Sequence, residues 1–430
     1  MAELQPFRGL RYTAKAGEIQ TLTCPPYDII SEEQRQAYLA ENPYNVIRLE
    51  LPKGEDPYGE AGRTLNEWLQ EGILRQDTEP AMYIYEEEFT AYGQRRKVKG
   101  LICRVKLEEF EKGVVLPHEE TLSKAKQDRF SLMQATNCNF SQIYSLYMDE
   151  TGETRRRIDH LSSGTPRYEF SDGLVTHRLW IVNDAVAIEA FRSDFAARRL
   201  YIADGHHRYE TAINYRNYCR ENAVWAPGSE FVMMMLVDME NPGLVVFPTH
   251  RLVRGLPDFS PEQVLAGSAA YFDAETLSDR GAVEPRLKAD YDAGKKSFVF
   301  AAAQDGALAY TLLTLRDPSV MADFLPEKSE ASRGLDVSVL HTLILERVLG
   351  IDKENMANQK NLTYTRSADE ALESVRTGES QCAFLLNPTR VEEIGAVAAA
   401  GEKMPQKSTY FYPKLITGLV MNSLEAPLED

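Results

Sequence analysis

Apolar positions along this chain alternate between a period of two and a period near 3.6, so elements of both types are expected. Ala61, Leu65, Trp68 and Leu69 share one helical face, which predicts an amphipathic helix over residues 57–72. A Pro-rich turn, Cys24-Pro25-Pro26-Tyr27-Asp28, leads to a helix start at Ser31-Glu32-Glu33. Residues 46–51 read as a strand, and 81–89 and 96–107 as a β-hairpin turned at Ala91-Tyr92-Gly93. Strands are predicted at 175–182, 200–203, 231–238 and 244–248, and helices over 184–195 and 206–220. Residues 255–330 read as an insertion with a Pro261-primed helix, a Lys/Asp-rich helix near 282–294 and a hairpin turned at Gln304-Asp305-Gly306. The last hundred residues predict a helix over 337–348, a strand over 382–386, a helix over 391–400, and a polar segment ending near Gly418. No internal repeat is visible, and the expected class is α+β. Four regions are expected: 1–115, an N-terminal α/β region; 116–254, a core; 255–330, the insertion; and 331–430, a C-terminal α/β region.

Charge and cysteine content narrow the function class. The 430 residues carry a net charge of −17, which argues against broad binding to nucleic acid or to an anionic membrane, since phosphate backbones demand a basic face. A local basic pocket for a small anion remains compatible with that balance. No apolar run approaches the roughly 20 residues that span a bilayer. The first residues lack the charged-then-apolar layout of a secretion signal. Five scattered cysteines without a CxxC spacing point to free thiols rather than a disulfide framework or a zinc cluster, and so to a cytoplasmic enzyme.

Three stretches concentrate chemistry. In Asp204-Gly205-His206-His207-Arg208 a buried strand ends, Asp-Gly turns tightly, and a helix begins. That layout aims backbone N–H groups and a positive helix end at one spot, suited to an anion. Arg208 could fork onto a phosphate, and Asp204 could hold magnesium or accept a proton. The plainer alternative makes Asp204 a turn or cap residue and the histidines structural. Pro117-His118-Glu119-Glu120-Thr121, with Lys124, Lys126, Asp128 and Arg129 following, mixes a carboxylate suited to a general base (Glu119) with several cations. It reads equally as a solvated helix face with pairs such as Lys124–Asp128. Met404 to Lys414 is Pro-bounded and cationic; its Lys407-Ser408-Thr409 can offer an ammonium, two hydroxyls and backbone N–H groups to phosphate oxygens, or be an exposed loop. It lacks the glycine spacing of a Walker A loop. Pro248-Thr249-His250-Arg251 is a weaker fourth candidate, while His160, His177 and His341 are isolated and read as structural.

The Asp204-Gly205-His206-His207-Arg208 turn resembles the signature of the ParB/sulfiredoxin-like fold, and within it the free L-serine kinase family. That family carries Pro-His-Glu, then Asp-Gly-His-His-Arg, then a C-terminal Pro-Lys-Thr-Thr stretch with a Pro nearby. Here the same order appears as Pro117-His118-Glu119, Asp204 to Arg208, and Pro405-Gln406-Lys407-Ser408-Thr409 with Pro413; Pro388-Thr389-Arg390-Val391-Glu392-Glu393 matches as well. The full length also resembles a large bacterial group of ParB-like proteins of unknown function. The resemblance implies a ParB-like mixed core over 116–254, with N-terminal, inserted and C-terminal α/β segments added. It implies a nucleotide- and magnesium-dependent phosphotransferase on free serine or a similar hydroxylated metabolite, using ATP or ADP. Glu119 would then be the base, with Asp204 and His207 catalytic and Asp204 also the metal ligand. Gly205, His206, Arg208, Lys407, Ser408 and Thr409 would cradle phosphates, with His118, Thr121, Lys126 and Arg129 as further candidates. The chain is longer than those kinases, the gap from Glu119 to Asp204 is wider, Gln406 intervenes in the last motif, and Ser408 replaces a threonine. The reverse reaction on phosphoserine and a catalytically silent nucleotide-binding regulator are the alternatives. DNA is not an expected partner, because no basic helix-turn-helix is recognisable. The kinase reading expects the three motifs to converge.

Overall fold

The computed structural model describes residues 1–119, 121, 123–304 and 306–425. Glu120, the side chain of Lys124 and Asp305 of the second hairpin turn therefore lie outside the described residues. Two compact units emerge: residues 1–117, 121–245 and 413–430 form the first, and residues 118–120 and 246–412 the second. The class is mixed α and β, as the alternating periodicity predicts.

In the first unit the described residues form a nine-stranded sheet. Its order runs Val115–Leu116, Leu200–Asp204, Ile143–Tyr147, Phe231–Asp238, Gln94–Lys106, Met82–Ala91, Val175–Val182, Tyr168–Ser171, with Leu4–Gln5 added against Gln94–Lys106. The predicted hairpin is present, in register from Ala91 opposite Gln94 to Tyr83 opposite Ile102. Phe231–Asp238 is buried along its whole length between a parallel and an antiparallel neighbour, which is why it reads as an unbroken apolar run. Helix Ser123–Thr136 packs between Pro57–Gln70 and His206–Asn222.

The second unit has a six-stranded sheet ordered Phe272–Thr276, Ala307–Leu315, Ser297–Gln304, Cys382–Leu386, His250–Val253, Leu362–Thr365. Alternation along Ser297–Gln304 splits its side chains between two apolar clusters. Phe298, Phe300 and Ala302 join Leu340, Leu343 and Ile344 on one face. Val299 and Ala301 join Val283, Leu287, Ala371, Leu372 and Val375 on the other.

Several elements differ from what the sequence pattern predicts. Residues 46–51, expected as a strand, contain the short helix Ile47–Glu50. Asn45 enforces it: its side-chain oxygen accepts the Ile47 N–H at 3.0 Å, and its amide donates to the carbonyls of Thr21 and Thr23. The helix expected over 337–348 starts as Asp336–Val339 and widens to a π-helical stretch, Leu340–Glu346, a rare geometry that recurs near functional sites. Helix Ser123–Thr136 and strands Ile143–Tyr147 and Leu362–Thr365 are additions that the periodicity does not predict.

Candidate functional site

In the first unit, the strand Leu200–Asp204 ends where Gly205 takes φ +97°, and the helix His206–Asn222 starts. That left-handed backbone favours glycine. A Cβ there would also lie 2.9 Å from Arg208 Nη2, so it would push the guanidinium off its partners. Gly205→Ala is expected to lower stability by about 1–2 kcal/mol through the left-handed backbone alone, measured by denaturant unfolding. Arg208 Nη1 donates to the Gln142 carbonyl at 2.7 Å and to Ser141 Oγ at 3.0 Å, while Nη2 donates to Asp204 Oδ2 at 3.3 Å. Lys414 Nζ donates to Asp204 Oδ1 at 2.5 Å. One carboxylate thus gathers two cations at a helix start. His206 is buried and His207 half-buried.

The neighbouring polar residues divide between two anchors. Thr121 Oγ1 and Lys126 Nζ both donate to Glu210 Oε2, at 2.8 and 2.7 Å, which ties them to the second turn of the His206–Asn222 helix. Arg129 turns instead toward buried Glu50. It donates to the Glu50 carbonyl and to Asp128, and its guanidinium lies 3.9 Å over the Tyr27 ring. Burial pushes the Glu50 carboxyl up, against Arg129, the Ser141 hydroxyl and Arg208, which pull it down. Burial likewise drives the Tyr27 phenol up to about 12. Tyr27, Glu50, Arg129 and Ser141 form a polar support behind Arg208.

In the second unit, Glu119 bridges in parallel to Met404, and the Met404 N–H donates to the His118 carbonyl at 2.7 Å. The Lys407 N–H donates to Glu119 Oε1. Lys407 adopts φ +57°, unusual for a residue with a side chain, and this conformation turns its N–H onto the carboxylate. Buried His118 meets Thr409 Oγ1 through Nε2 at 3.0 Å. Ser408 is buried; its hydroxyl donates to the Pro405 carbonyl at 2.5 Å, and its own carbonyl accepts from Thr389 Oγ1 at 2.8 Å. The structure therefore brings His118 and Glu119 together with Lys407 and Thr409, across separations of 288 and 291 residues.

The fourth motif contributes to the same unit. His250 is buried and accepts the Leu386 N–H through Nδ1. Burial, then the Arg251 charge, lowers its pKa to about 4, so it is a neutral structural group at ordinary pH. Buried His341 is shifted down for the same two reasons. Asp336 carries no signal in the sequence, because an aspartate at a helix start looks like an ordinary cap. Burial pushes its carboxyl up to about 7, with Lys296 pulling it down from 3.8 Å. It shares a cavity of about 10 Å³ with Thr249, Arg251, Thr389 and Ser408.

Among the described residues, no group of three or more His, Cys, Asp or Glu is placed to hold a metal ion. Asp204, a single carboxylate between two cations, is too little for a resident divalent ion. It suits magnesium only in the mode where one carboxylate and nucleotide phosphates share the ion. Among the described residues no helix is long and apolar enough to cross a membrane.

Compared with known proteins, residues 4–338 match a family described as "Protein of unknown function (DUF1015)". No curated protein matches the chain. Among solved structures, a conserved hypothetical protein from Pyrococcus furiosus is similar at 12% identity and a TM-score of 0.36, over 76% of this chain and 96% of that one. A free serine kinase in complex with AMP is similar at 12% identity and a TM-score of 0.36, over 73% of this chain and 87% of that one. SbnI with a C-terminal truncation, from Staphylococcus aureus, is similar at 11% identity and a TM-score of 0.37, over 76% and 90%.

Proposed function

This chain belongs to the DUF1015 family, and we propose that it is a nucleotide-dependent phosphotransferase acting on a small hydroxylated metabolite, with free L-serine the first substrate to test. Glu119 accepts the proton of the attacking hydroxyl. The Lys407-Ser408-Thr409 turn of the same unit binds phosphoryl oxygens; within the first unit, the Asp204–Arg208 corner with Lys414 is a candidate for the phosphates of ATP or ADP. The observation that carries this reading is the Glu119 carboxylate held by the Lys407 N–H, with His118 bonded to Thr409 in the same turn. A carboxylate fixed beside a cationic, hydroxyl-bearing turn is what deprotonating an alcohol near a phosphate requires. Phosphoryl transfer needs positioning and charge neutralisation more than covalent chemistry. Magnesium brought in with the nucleotide would be held in part by Asp204, where it would neutralise phosphate charge. The motif order shared with the free L-serine kinases points to the same substrate class.

The direct test is purified protein with serine plus ATP or ADP, and with O-phosphoserine plus ADP or water. Turnover in either direction supports the reading and sets the direction. Absence of both turnover and binding for all of these ligands ends it, and nucleotide binding without turnover leaves a silent regulator. Arg208→Ala is expected to weaken ATP or ADP binding roughly tenfold or more, as loss of a charge-assisted bond does. Ser141→Ala removes a contact of Arg208 but no proposed phosphate ligand. Calorimetry should show near-native nucleotide affinity for Ser141→Ala; equal losses in both variants would mean that Arg208 only braces the fold.

A further inference from the structure

Arg251 sits where a core residue belongs. The strand His250–Val253 lies between Cys382–Leu386 and Leu362–Thr365, and Val253, two residues on, packs into the Phe298/Phe384 cluster. By strand alternation Arg251 faces the same side. Its side chain is 1% exposed, among the largest fully buried ones in the chain. Two of its donor groups are anchored: Nη1 to the Thr249 carbonyl at 2.5 Å and Nε to His341 Nε2 at 3.3 Å. Nη2 is buried and has no partner among the described residues. Tyr364 stands directly opposite Arg251 in the antiparallel register, with its ring centroid 5.4 Å from the guanidinium carbon. The Tyr364 hydroxyl is also buried and also without a partner among the described residues.

Two orphaned donors on neighbouring strands, one of them cationic, are costly to bury for stability alone. Burial lowers the Arg251 pKa to about 10, which leaves the guanidinium charged at neutral pH. Among the described residues, the Glu119 charge acts on both Arg251 and Tyr364. The cavity that Arg251 lines with Thr249, Asp336, Thr389, Glu393 and Ser408 measures about 10 Å³, room for about one oxygen-sized group. Such a space takes the tip of a larger ligand, not the whole of it. The His341 that braces Arg251 comes from the π-helical stretch.

We propose that Arg251 Nη2 and the Tyr364 hydroxyl form an oxyanion subsite that anchors the acidic end of the acceptor, either its carboxylate or its phosphate. This rests on the phosphotransferase reading only for the word acceptor. It narrows the substrate class from hydroxylated metabolites in general to hydroxylated small acids. An acid held at Arg251 lies within the electrostatic reach of Glu119, the proposed base.

The test uses the full chain, with binding calorimetry and thermal shift. The probes are serine, O-phosphoserine, inorganic phosphate and ethanolamine, the last being serine without its carboxylate. The variants are Arg251→Met and Tyr364→Phe. Wild type is expected to bind serine or a phosphate-bearing probe and not ethanolamine. Arg251→Met should weaken that binding roughly 10- to 100-fold, the effect of losing a hydrogen bond to a charged group, with Tyr364→Phe weakening it less. Serine binding without phosphate binding assigns the subsite to a carboxylate; the converse assigns it to a phosphate. Arg251→Met should keep or raise Tm, because a buried charge with an unmet donor is replaced by an apolar side chain of similar length. Should Arg251→Met lose Tm yet bind the anions as wild type does, Arg251 is structural and the proposal is overturned. Equal binding of ethanolamine and serine overturns it too. If the anions bind in an Arg251-dependent way while wild type turns over nothing, the subsite stands and the phosphotransferase reading falls.

Discussion

Glu119→Gln is expected to reduce turnover by roughly 10²- to 10⁴-fold, the usual contribution of a positioned general base, while ATP or ADP affinity stays within experimental error. Glutamine is the informative replacement. It keeps an oxygen for the Lys407 N–H, so the left-handed turn at Lys407 and the neighbouring His118–Thr409 hydrogen bond can persist. What it removes is the ability to take a proton. Glu119→Ala would strip the turn of its acceptor and confuse positioning with chemistry. Single-turnover measurements, which separate chemistry from binding, should place the loss in the chemical step. A variant with near-native turnover would show that another group accepts the proton, and the assignment of Glu119 would fall. A variant that also lost nucleotide affinity would point to Glu119 as an organiser of the phosphate turn.

The parts of the molecule that are legible in the sequence are those whose physics is local. Asp204-Gly205 can be read as a strand-to-helix turn because the buried strand, the glycine at φ +97° and the helix start are consecutive. The hairpin of Met82–Ala91 and Gln94–Lys106 announces itself through its turn residues. What the sequence hides comes from pairings across the chain. Lys414 reaches Asp204 over 210 residues, and His118 reaches Thr409 over 291. Glu50 looks like one residue of an alternating strand; the side chain of Asn45 instead closes a helical turn there, and Glu50 is buried against Ser141 and Arg129. Leu362–Thr365 is an edge strand with one buried position, so its periodicity carries little signal. The special state of Arg251, Tyr364 and Asp336 is burial with unmet or unequal partners. That property belongs to the closed sheet and leaves no trace in residue spacing.

Glu87 should make stability fall as pH rises, and Glu87→Gln should abolish that part of the slope. Its carboxyl is fully buried on the strand Met82–Ala91, where Oε1 accepts the Tyr85 hydroxyl at 3.0 Å and Oε2 has no partner among the described residues. Tyr85 in turn meets His177 Nδ1 at 2.7 Å, and His177 Nε2 lies 3.3 Å from Asp172. Burial is the dominant influence on Glu87. It pushes the carboxyl up to about 8, with the Tyr85 hydrogen bond pulling down and the Asp172 charge adding to the rise. In the unfolded chain the same group titrates at about 4.3. Between those two values the folded state holds a proton that the unfolded state has released. The stabilisation is therefore complete below the unfolded pKa and is lost as pH climbs through the folded one. The slope attributable to this one group reaches at most about 1.4 kcal/mol per pH unit. Asp336, pushed up to about 7, adds to the wild-type slope in the same direction, so the diagnostic quantity is the difference between wild type and variant. Urea unfolding at pH 5, 7 and 9 should find that Glu87→Gln gains on wild type at each step upward and is the more stable protein at pH 9. Parallel stability curves for the two proteins across that range would mean that Glu87 is ionised in the folded state, with its charge balanced through Tyr85 and His177.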